Sequence, residues 1–120
     1  MALIDYTKVK DLHSKRFSWI GATNGGTPDT FAPVEIDRNP YTITVQATGT
    51  FGASADIALH GSLDGTNYAA LSDAQGAAIS LTAASIADGQ SAVRFVKPVL
   101  SGGNGSTDID VVLQVRFDTY

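Results

Sequence analysis

The chain contains no cysteine. Disulfide bonds, cysteine-ligated zinc and thiol catalysis are therefore excluded, and stability must come from packing or from partner subunits. No apolar run approaches the roughly 18 residues of a membrane-spanning helix, so we expect no membrane partner. The segment Met1–Tyr6 has an acidic residue where a signal peptide has a basic region before its apolar stretch. We therefore expect a protein that is made in a cytoplasm and either stays there or enters a particle assembled there.

Charged residues are also scarce, at 17% of the chain against roughly 25% in a typical soluble domain. Part of the surface must therefore be uncharged, and alanine, threonine, serine and glycine are available to fill it. Such a composition suits flat surfaces that contact other proteins, and it equally suits a small β domain with threonine-rich outer faces. A chain of 120 residues is long enough for one hydrophobic core and too short for two.

The net charge of −4 is unevenly distributed along the chain. Residues 1–16 carry four basic and two acidic residues, a net charge of +2, whereas the remainder carries four basic and ten acidic residues, a net charge of −6. Four basic residues are too sparse for a nucleic-acid site, which needs a clustered basic face with aromatic platforms. We therefore expect no nucleic-acid partner. A weakly basic segment that lies on an acidic protein surface fits the same pattern.

Residues 1–30 lack sustained hydrophobic periodicity and end in the glycine-rich segment 21–28. The only tryptophan, Trp19, lies just before that segment and alternates with Phe17. These two aromatic residues either cover the open end of the domain's own core or dock on a neighbouring molecule. In both cases the pattern predicts an extended N-terminal arm and linker over residues 1–30, followed by a β-sandwich domain over residues 31–120.

From residue 31 onward, apolar and polar residues alternate in short runs separated by turn residues. The pair Asp64–Gly65 supplies the positive φ angles of a tight hairpin turn between two such runs. Residues 83–89 are rich in alanine and predict a loop or a single helical turn. Seven strands at intervals of about ten residues predict an all-β fold, an antiparallel sandwich or barrel. We expect these strands at residues 31–37, 41–48, 55–62, 66–71, 78–82, 91–100 and 108–117.

The sequence offers few residues for catalysis or metal binding. Its two histidines, His13 and His60, lie far apart, and no third ligand follows at a metal-binding spacing. Asp64, Asp108 and Asp110 border turns, where they either supply oxygen ligands to calcium or cap strand ends and discourage edge pairing. No serine lies in a Gly-x-Ser-x-Gly elbow. We therefore expect a protein that is not an enzyme and that binds no cofactor or metal.

Three segments carry a resemblance to a known family. They read V-Q-A-T-G-T-F-G at residues 45–52, I-A-L-H-G-S-L-D-G-T-N-Y at residues 57–68 and V-R-F-V-K-P at residues 93–98, and a glycine-rich hairpin and a terminal strand follow. In this order they resemble small structural proteins of tailed-bacteriophage virions, most of all the capsid decoration (cement) proteins. The resemblance covers roughly residues 41–117 and consists of strands and turns rather than a catalytic signature.

The resemblance implies a jelly-roll-like β-sandwich of about seven or eight strands on the outside of a phage capsid. It implies a homo-oligomer, with a trimer favoured, that bridges major capsid protein subunits on a virion assembled in the host cytoplasm. Binding across subunit junctions would stabilise the shell by mass action. The basic N-terminal segment, which includes Phe17 and Trp19, is then the part expected to reach the capsid or the next subunit. Aromatic side chains often anchor such interfaces. Its candidate interface residues are Tyr6, Lys8, Lys10, Lys15, Arg16, Phe17 and Trp19.

Two alternatives remain open at this point. A tail, neck or fibre component of the same virion would show the same strand pattern. A carbohydrate-binding module is a second alternative, since β-sandwiches often bind glycans, and it requires exposed aromatic platforms. The candidate platforms outside apolar strand patterns are Tyr6, Trp19, Tyr41, Tyr68 and Tyr120.

Overall fold

A computed structural model describes residues 2–10, 14–36, 40–89 and 93–117 of the chain. These residues form twelve β-strands and no helix, as the sequence predicted for an all-β fold. The strands are β1 (Leu3–Ile4), β2 (Tyr6–Lys10), β3 (Ser14–Thr23), β4 (Thr30–Phe31), β5 (Val34–Glu35), β6 (Pro40–Thr50), β7 (Asp56–Ser62), β8 (Ala69–Ala70), β9 (Ser80–Leu81), β10 (Ser85–Gly89), β11 (Phe95–Ser101) and β12 (Asp108–Phe117).

The strands form two sheets that pack face to face as a sandwich. The five-stranded sheet has the order β10-β6-β12-β3-β2, and all its neighbouring strands are antiparallel. The seven-stranded sheet has the order β1-β4-β11-β7-β8, with β5 also paired to β11 and β9 also paired to β7. Its pairs are antiparallel except for the short parallel pair of β1 and β4. The predicted antiparallel sandwich is therefore confirmed.

The core lies between the two sheets and follows the period of two that strands impose. Strand β12 shows this most clearly, because its alternate residues from Ile109 to Phe117 are all buried. In β6, Ile43, Val45 and Ala47 are buried between the sheets, and the polar residues Thr44 and Gln46 between them lie on the outer side. Both outcomes agree with the alternation in the sequence.

The described residues 2–10 and 14–30 do not form the extended N-terminal arm that was predicted for residues 1–30. Strand β3 lies inside the five-stranded sheet, paired with β12 on one side and with β2 on the other. Phe17 is 3% exposed and Trp19 is fully buried. The prediction was wrong because β3 is completed by β12, about 90 residues later in the chain, and no local pattern signals that partner. The boundary predicted near residue 30 therefore falls within the sandwich.

Three predicted elements also differ from the structure. Residues 85–89 form strand β10 rather than a loop or helical turn, because pairing with the long strand β6 outweighs the weak strand propensity of alanine. The strand predicted at 66–71 shortens to β8, since the turn at Asp64 binds the amides of Thr66 and Asn67. The strand predicted at 31–37 is interrupted between β4 and β5.

Candidate functional site

The seven residues predicted for a protein interface lie together on two neighbouring strands. Tyr6, Lys8 and Lys10 belong to β2, and the other four belong to β3. The register places Tyr6 opposite Trp19, Lys8 opposite Phe17 and Lys10 opposite Lys15. All seven therefore lie near one edge of the five-stranded sheet, although they belong to the sandwich and not to an arm.

The aromatic members of this set are packed into the protein itself. The ring centroid of Tyr6 lies 5.3 Å from that of Phe17 and 5.9 Å from that of Trp19, both in edge-to-face geometry. Trp19 also meets Phe31 of the other sheet at 6.1 Å. Of the two alternatives that the sequence left open, Phe17 and Trp19 cover the domain's own core. Their side chains are not exposed anchors for a neighbouring molecule.

The basic members are distributed over both sides of the sheet. Lys8 and Lys10 are exposed on the side that faces the core, beyond the packed aromatic residues. Lys15 is only 9% exposed, and its Nζ lies 5.9 Å from the ring centroid of Phe117. Arg16 points to the opposite side and is exposed on the outer face of the sheet. A partner that contacts Arg16 must therefore approach this outer face.

Asp29 fixes the start of the described chain to β3. Its carboxylate accepts hydrogen bonds from the Ala2 amide at 2.9 Å, the Thr23 amide at 2.9 Å and the Thr23 hydroxyl at 3.0 Å. The backbone bond from Thr23 is the largest cause that holds the pKa of Asp29 below its ordinary value, and it outweighs the opposing effect of burial. No sequence pattern predicted this role, because Asp29 follows Pro28 at the end of the segment that was expected to be a linker.

The outer face of the five-stranded sheet is broad and mostly uncharged, and we call it the threonine face. Most of its side chains carry no charge, and three aliphatic ones are well exposed, namely Val9 at 54%, Ile20 at 62% and Ile86 at 61%. The face includes Thr7, Val9, Ser14, Arg16, Ser18, Ile20, Thr42, Thr44, Gln46, Thr48, Ile86, Asp88, Asp110, Val112, Gln114 and Arg116.

A depression of about 240 Å³ lies in the middle of the threonine face. It extends across four strands, from β3 through β12 and β6 to β10. Its lining residues are Arg16, Thr44, Gln46, Ile86, Val112 and Gln114. Sequence reasoning found Arg16 but not the depression, because the depression depends on the register between strands that are far apart in the chain.

The outer face of the seven-stranded sheet is organised around its own contacts. Arg94 and Glu35 form an ion pair with 2.6 Å between Nη2 and Oε2. Lys97 lies over the ring of Tyr68, with its Nζ 4.3 Å from the centroid. Partial burial and, to a smaller extent, the charge of Lys97 lower the pKa of His60. Arg94 and Lys97 thus each have a partner on their own side of the sandwich.

The turn at Asp64 is built by the carboxylate itself. Asp64 accepts hydrogen bonds from the amides of Thr66 and Asn67, from the side-chain amide of Asn67 and from the hydroxyl of Ser62. These bonds, of which the one from the Asn67 amide is the strongest cause, hold the pKa of Asp64 well below its usual range. Asp110 accepts a hydrogen bond from the Gly21 amide at 2.9 Å. Both aspartates thus accept hydrogen bonds from backbone amides, and Asp64 lies in a turn where the sequence predicted one.

In the part of the chain that the structure describes, no group of three or more His, Asp or Glu residues is placed to hold a metal ion. His13 and Tyr120 lie outside that part, as does the side chain of Tyr41. Among the same residues, no helix is long and apolar enough to cross a membrane. Because Trp19 is fully buried, it is not available as a glycan platform.

Comparison of the chain with protein-family models, with curated proteins and with solved structures finds no match.

Proposed function

We propose that this chain is a non-enzymatic structural protein of a phage virion, which binds the outside of the capsid and bridges major capsid protein subunits. The threonine face is the observation that carries the proposal. It is broad and mostly uncharged, and it exposes Val9, Ile20 and Ile86. Scarcity of charged residues on a face is a compositional mark of the central part of protein–protein interfaces. The strand-and-turn resemblance to capsid decoration proteins supports the same role.

The proposal includes a jelly-roll-like fold of eight strands. The strand order supports it when β4 with β5, and β8 with β9, are counted as two interrupted strands. The sheets then have the orders β3-β12-β6-β10 and β4-β11-β7-β8, with β1 and β2 added at one edge. Among these eight strands the chain passes from sheet to sheet at every connection except that between β7 and β8, and the added strand β2 forms a hairpin with β3 within one sheet. Domains of viral capsids are among the proteins that use double-sheet jelly rolls.

The mechanism in this proposal is thermodynamic. A protein that binds the assembled shell, and not its separated subunits, shifts the equilibrium toward the shell by mass action. A homo-oligomer, with a trimer favoured, would contact several capsid subunits at once and bind more firmly than one copy. In this arrangement Lys8 and Lys10 meet an acidic part of the capsid surface.

Co-sedimentation with capsids tests the proposal directly. The protein is mixed with expanded shells that lack it, the shells are pelleted, and their resistance to heat is compared with that of bare shells. We expect the protein to pellet with the shells and to raise the temperature at which they open. Light scattering after size exclusion gives the oligomeric state. A strictly monomeric protein that stays in the supernatant would contradict the proposal.

A charge variant tests whether Lys8 and Lys10 on the edge strand β2 contact the capsid. The double substitution Lys8→Gln and Lys10→Gln is expected to weaken pelleting, most clearly at low ionic strength, where charge interactions are least screened. The matched control, Arg94→Gln and Lys97→Gln, removes two positive charges from the opposite sheet and should pellet normally. Electron microscopy of the virion separates a capsid position from a tail, neck or fibre position.

A further inference from the structure

The depression in the threonine face is bounded by unlike groups. Arg16 of β3 stands at one end and Ile86 of β10 at the other. Strands β12 and β6 lie between them, and the register places Ile86 two residues along the strands from the row of Arg16, so the two ends are about 16 Å apart. A ligand that fills the depression thus meets a positive charge at one end and an aliphatic side chain at the other.

Arg16 has no ionic partner among the described residues. No carboxylate of residues 2–10, 14–36, 40–89 or 93–117 lies within ion-pair distance of its guanidinium. Arg94 on the opposite sheet, by contrast, is paired with Glu35 through Nε at 2.9 Å and Nη2 at 2.6 Å. A guanidinium group presents a fork of donors that matches a carboxylate with two hydrogen bonds. The Arg16 end of the depression is thus complementary to a carboxylate.

The floor between the two ends suits an extended peptide. Gln46 and Gln114 provide side-chain amides that both donate and accept hydrogen bonds, as a peptide backbone does. Thr44 adds a hydroxyl, and Val112 adds a short apolar side chain. An extended segment of about five residues covers the roughly 16 Å between the ends.

We propose that this depression binds an extended segment of a partner protein that carries a carboxylate side chain at one end and an aliphatic side chain at the other. The carboxylate binds Arg16, the aliphatic side chain packs on Ile86 and Val112, and the backbone between them hydrogen-bonds with Gln46 and Gln114. The inference rests on the proposed function in taking the partner to be a protein. It adds the chemistry by which the threonine face selects a segment of that partner.

Titration with a short peptide, followed by NMR of the isotope-labelled full chain, tests this inference. The probe is acetyl-Glu-Ala-Thr-Ala-Leu-amide, and its control has Gln in place of Glu. We expect the Glu peptide to shift the side-chain signals of Gln46, Gln114 and Arg16, with a dissociation constant on the order of 1 mM. The Gln peptide should bind about tenfold more weakly, because a charge-assisted hydrogen bond is lost.

Two variants separate the role of Arg16 from a general effect of charge. Arg16→Gln should weaken binding of the Glu peptide about tenfold and leave binding of the Gln peptide unchanged. Arg94→Gln removes one positive charge from the opposite sheet and should leave both peptides unaffected. Retained dispersion of the amide spectrum shows that each variant is folded.

Three results would overturn the inference: equal affinity of the two peptides, unchanged binding by Arg16→Gln, or shifts that avoid the depression. A parallel titration with maltopentaose addresses a glycan ligand. Shifts at Gln46 and Gln114 with the sugar alone would also overturn the inference. Failure here is distinguishable from failure of the proposed function. If Arg16→Gln still pellets with capsids as wild type does, the capsid role stands and the depression is not the contact.

Discussion

The indole nitrogen of Trp19 donates a hydrogen bond of 3.0 Å to the backbone carbonyl of Ala32. This bond joins the two sheets, because Trp19 belongs to β3 and Ala32 lies between β4 and β5. The amide of Ala32 is also engaged, since it donates to the carbonyl of Ile4. The backbone of Ala32 therefore does not pair with β11, which explains why the predicted strand at 31–37 is interrupted there.

Trp19 should be among the residues whose replacement most reduces stability. We expect Trp19→Ala to lower the free energy of unfolding by about 3–5 kcal/mol, because a large, fully buried side chain leaves a cavity. Trp19→Phe should cost about 1–3 kcal/mol, since the carbonyl of Ala32 loses its donor. Urea denaturation, monitored by circular dichroism, measures both changes.

The neighbouring residue on the same strand provides the control for this prediction. Ile20 is 62% exposed, so Ile20→Ala should change the free energy of unfolding by less than about 0.5 kcal/mol. If Trp19→Ala and Ile20→Ala proved equally mild, the assignment of Trp19 to the core would be wrong.

Deletion of residues 1–20 should abolish folding. The deletion removes β1, β2 and most of β3, so the inner strand β12 loses its neighbour on one side and the core loses Phe17 and Trp19. Deletion of residues 1–4, which removes only β1, should leave a folded sandwich of lower stability. The dispersion of the amide NMR spectrum distinguishes the two outcomes. A well-dispersed spectrum from the longer deletion would restore the idea of a separable arm.

The sequence was most informative where a strand carries its own pattern. The alternation from Ile109 to Phe117 placed the inner face of β12 correctly, and Asp64–Gly65 located a turn. Strand β3 was missed as part of the sheet for two reasons. Its buried face contains Lys15 beside Phe17 and Trp19, which weakens the apolar alternation, and Gly21 near its end is typical of a loop. Its burial depends on β12, which the chain reaches much later.

The candidate site was only partly predictable for the same reason. The alternation around Thr44 predicted an outer face of threonine, and the charge count singled out Arg16. That these two residues line one depression follows from the pairing of β3 and β6 with β12, where both lie opposite Gln114. This register joins three segments that are distant in the chain, and it cannot be predicted from composition or residue spacing.

Acid should weaken the attachment of residue 2 to β3 through Asp29. The pKa of Asp29 is lower in the folded protein than the ordinary value of 3.8, so folding favours the carboxylate over the protonated acid. Its contribution to stability is therefore complete above the unfolded pKa and declines as the pH falls through the folded pKa. We expect Asp29→Asn to cost about 1–3 kcal/mol at pH 7 and to flatten the fall in stability between about pH 5 and pH 2.

The control for Asp29 is an exposed aspartate without such hydrogen bonds. Asp88→Asn on β10 should leave the stability at pH 7 close to wild type, because its side chain is exposed. Urea denaturation at a series of pH values provides the comparison. A curve for Asp29→Asn that is parallel to the wild-type curve across the acid range would contradict the linkage.

Gly49 should not tolerate a side chain, for a reason that lies in the fold. It is the first residue of the G-T-F-G segment, which is part of the family resemblance. Its φ angle is +114°, a conformation that residues with a Cβ rarely adopt, and an added Cβ would collide with the backbone carbonyl oxygen of Asp108. That oxygen belongs to β12, which is paired on both sides and cannot easily move away. We expect Gly49→Ala to cost about 2–4 kcal/mol in urea denaturation.

Gly105→Ala is the matched control for this prediction. A Cβ at Gly105 meets no atom within 4 Å and its φ is not positive, so its effect should stay within about 0.5 kcal/mol. A mild effect of Gly49→Ala would show that β6 and β12 can separate at this point, whereas a large one explains the glycine by the scaffold alone, without a role in binding.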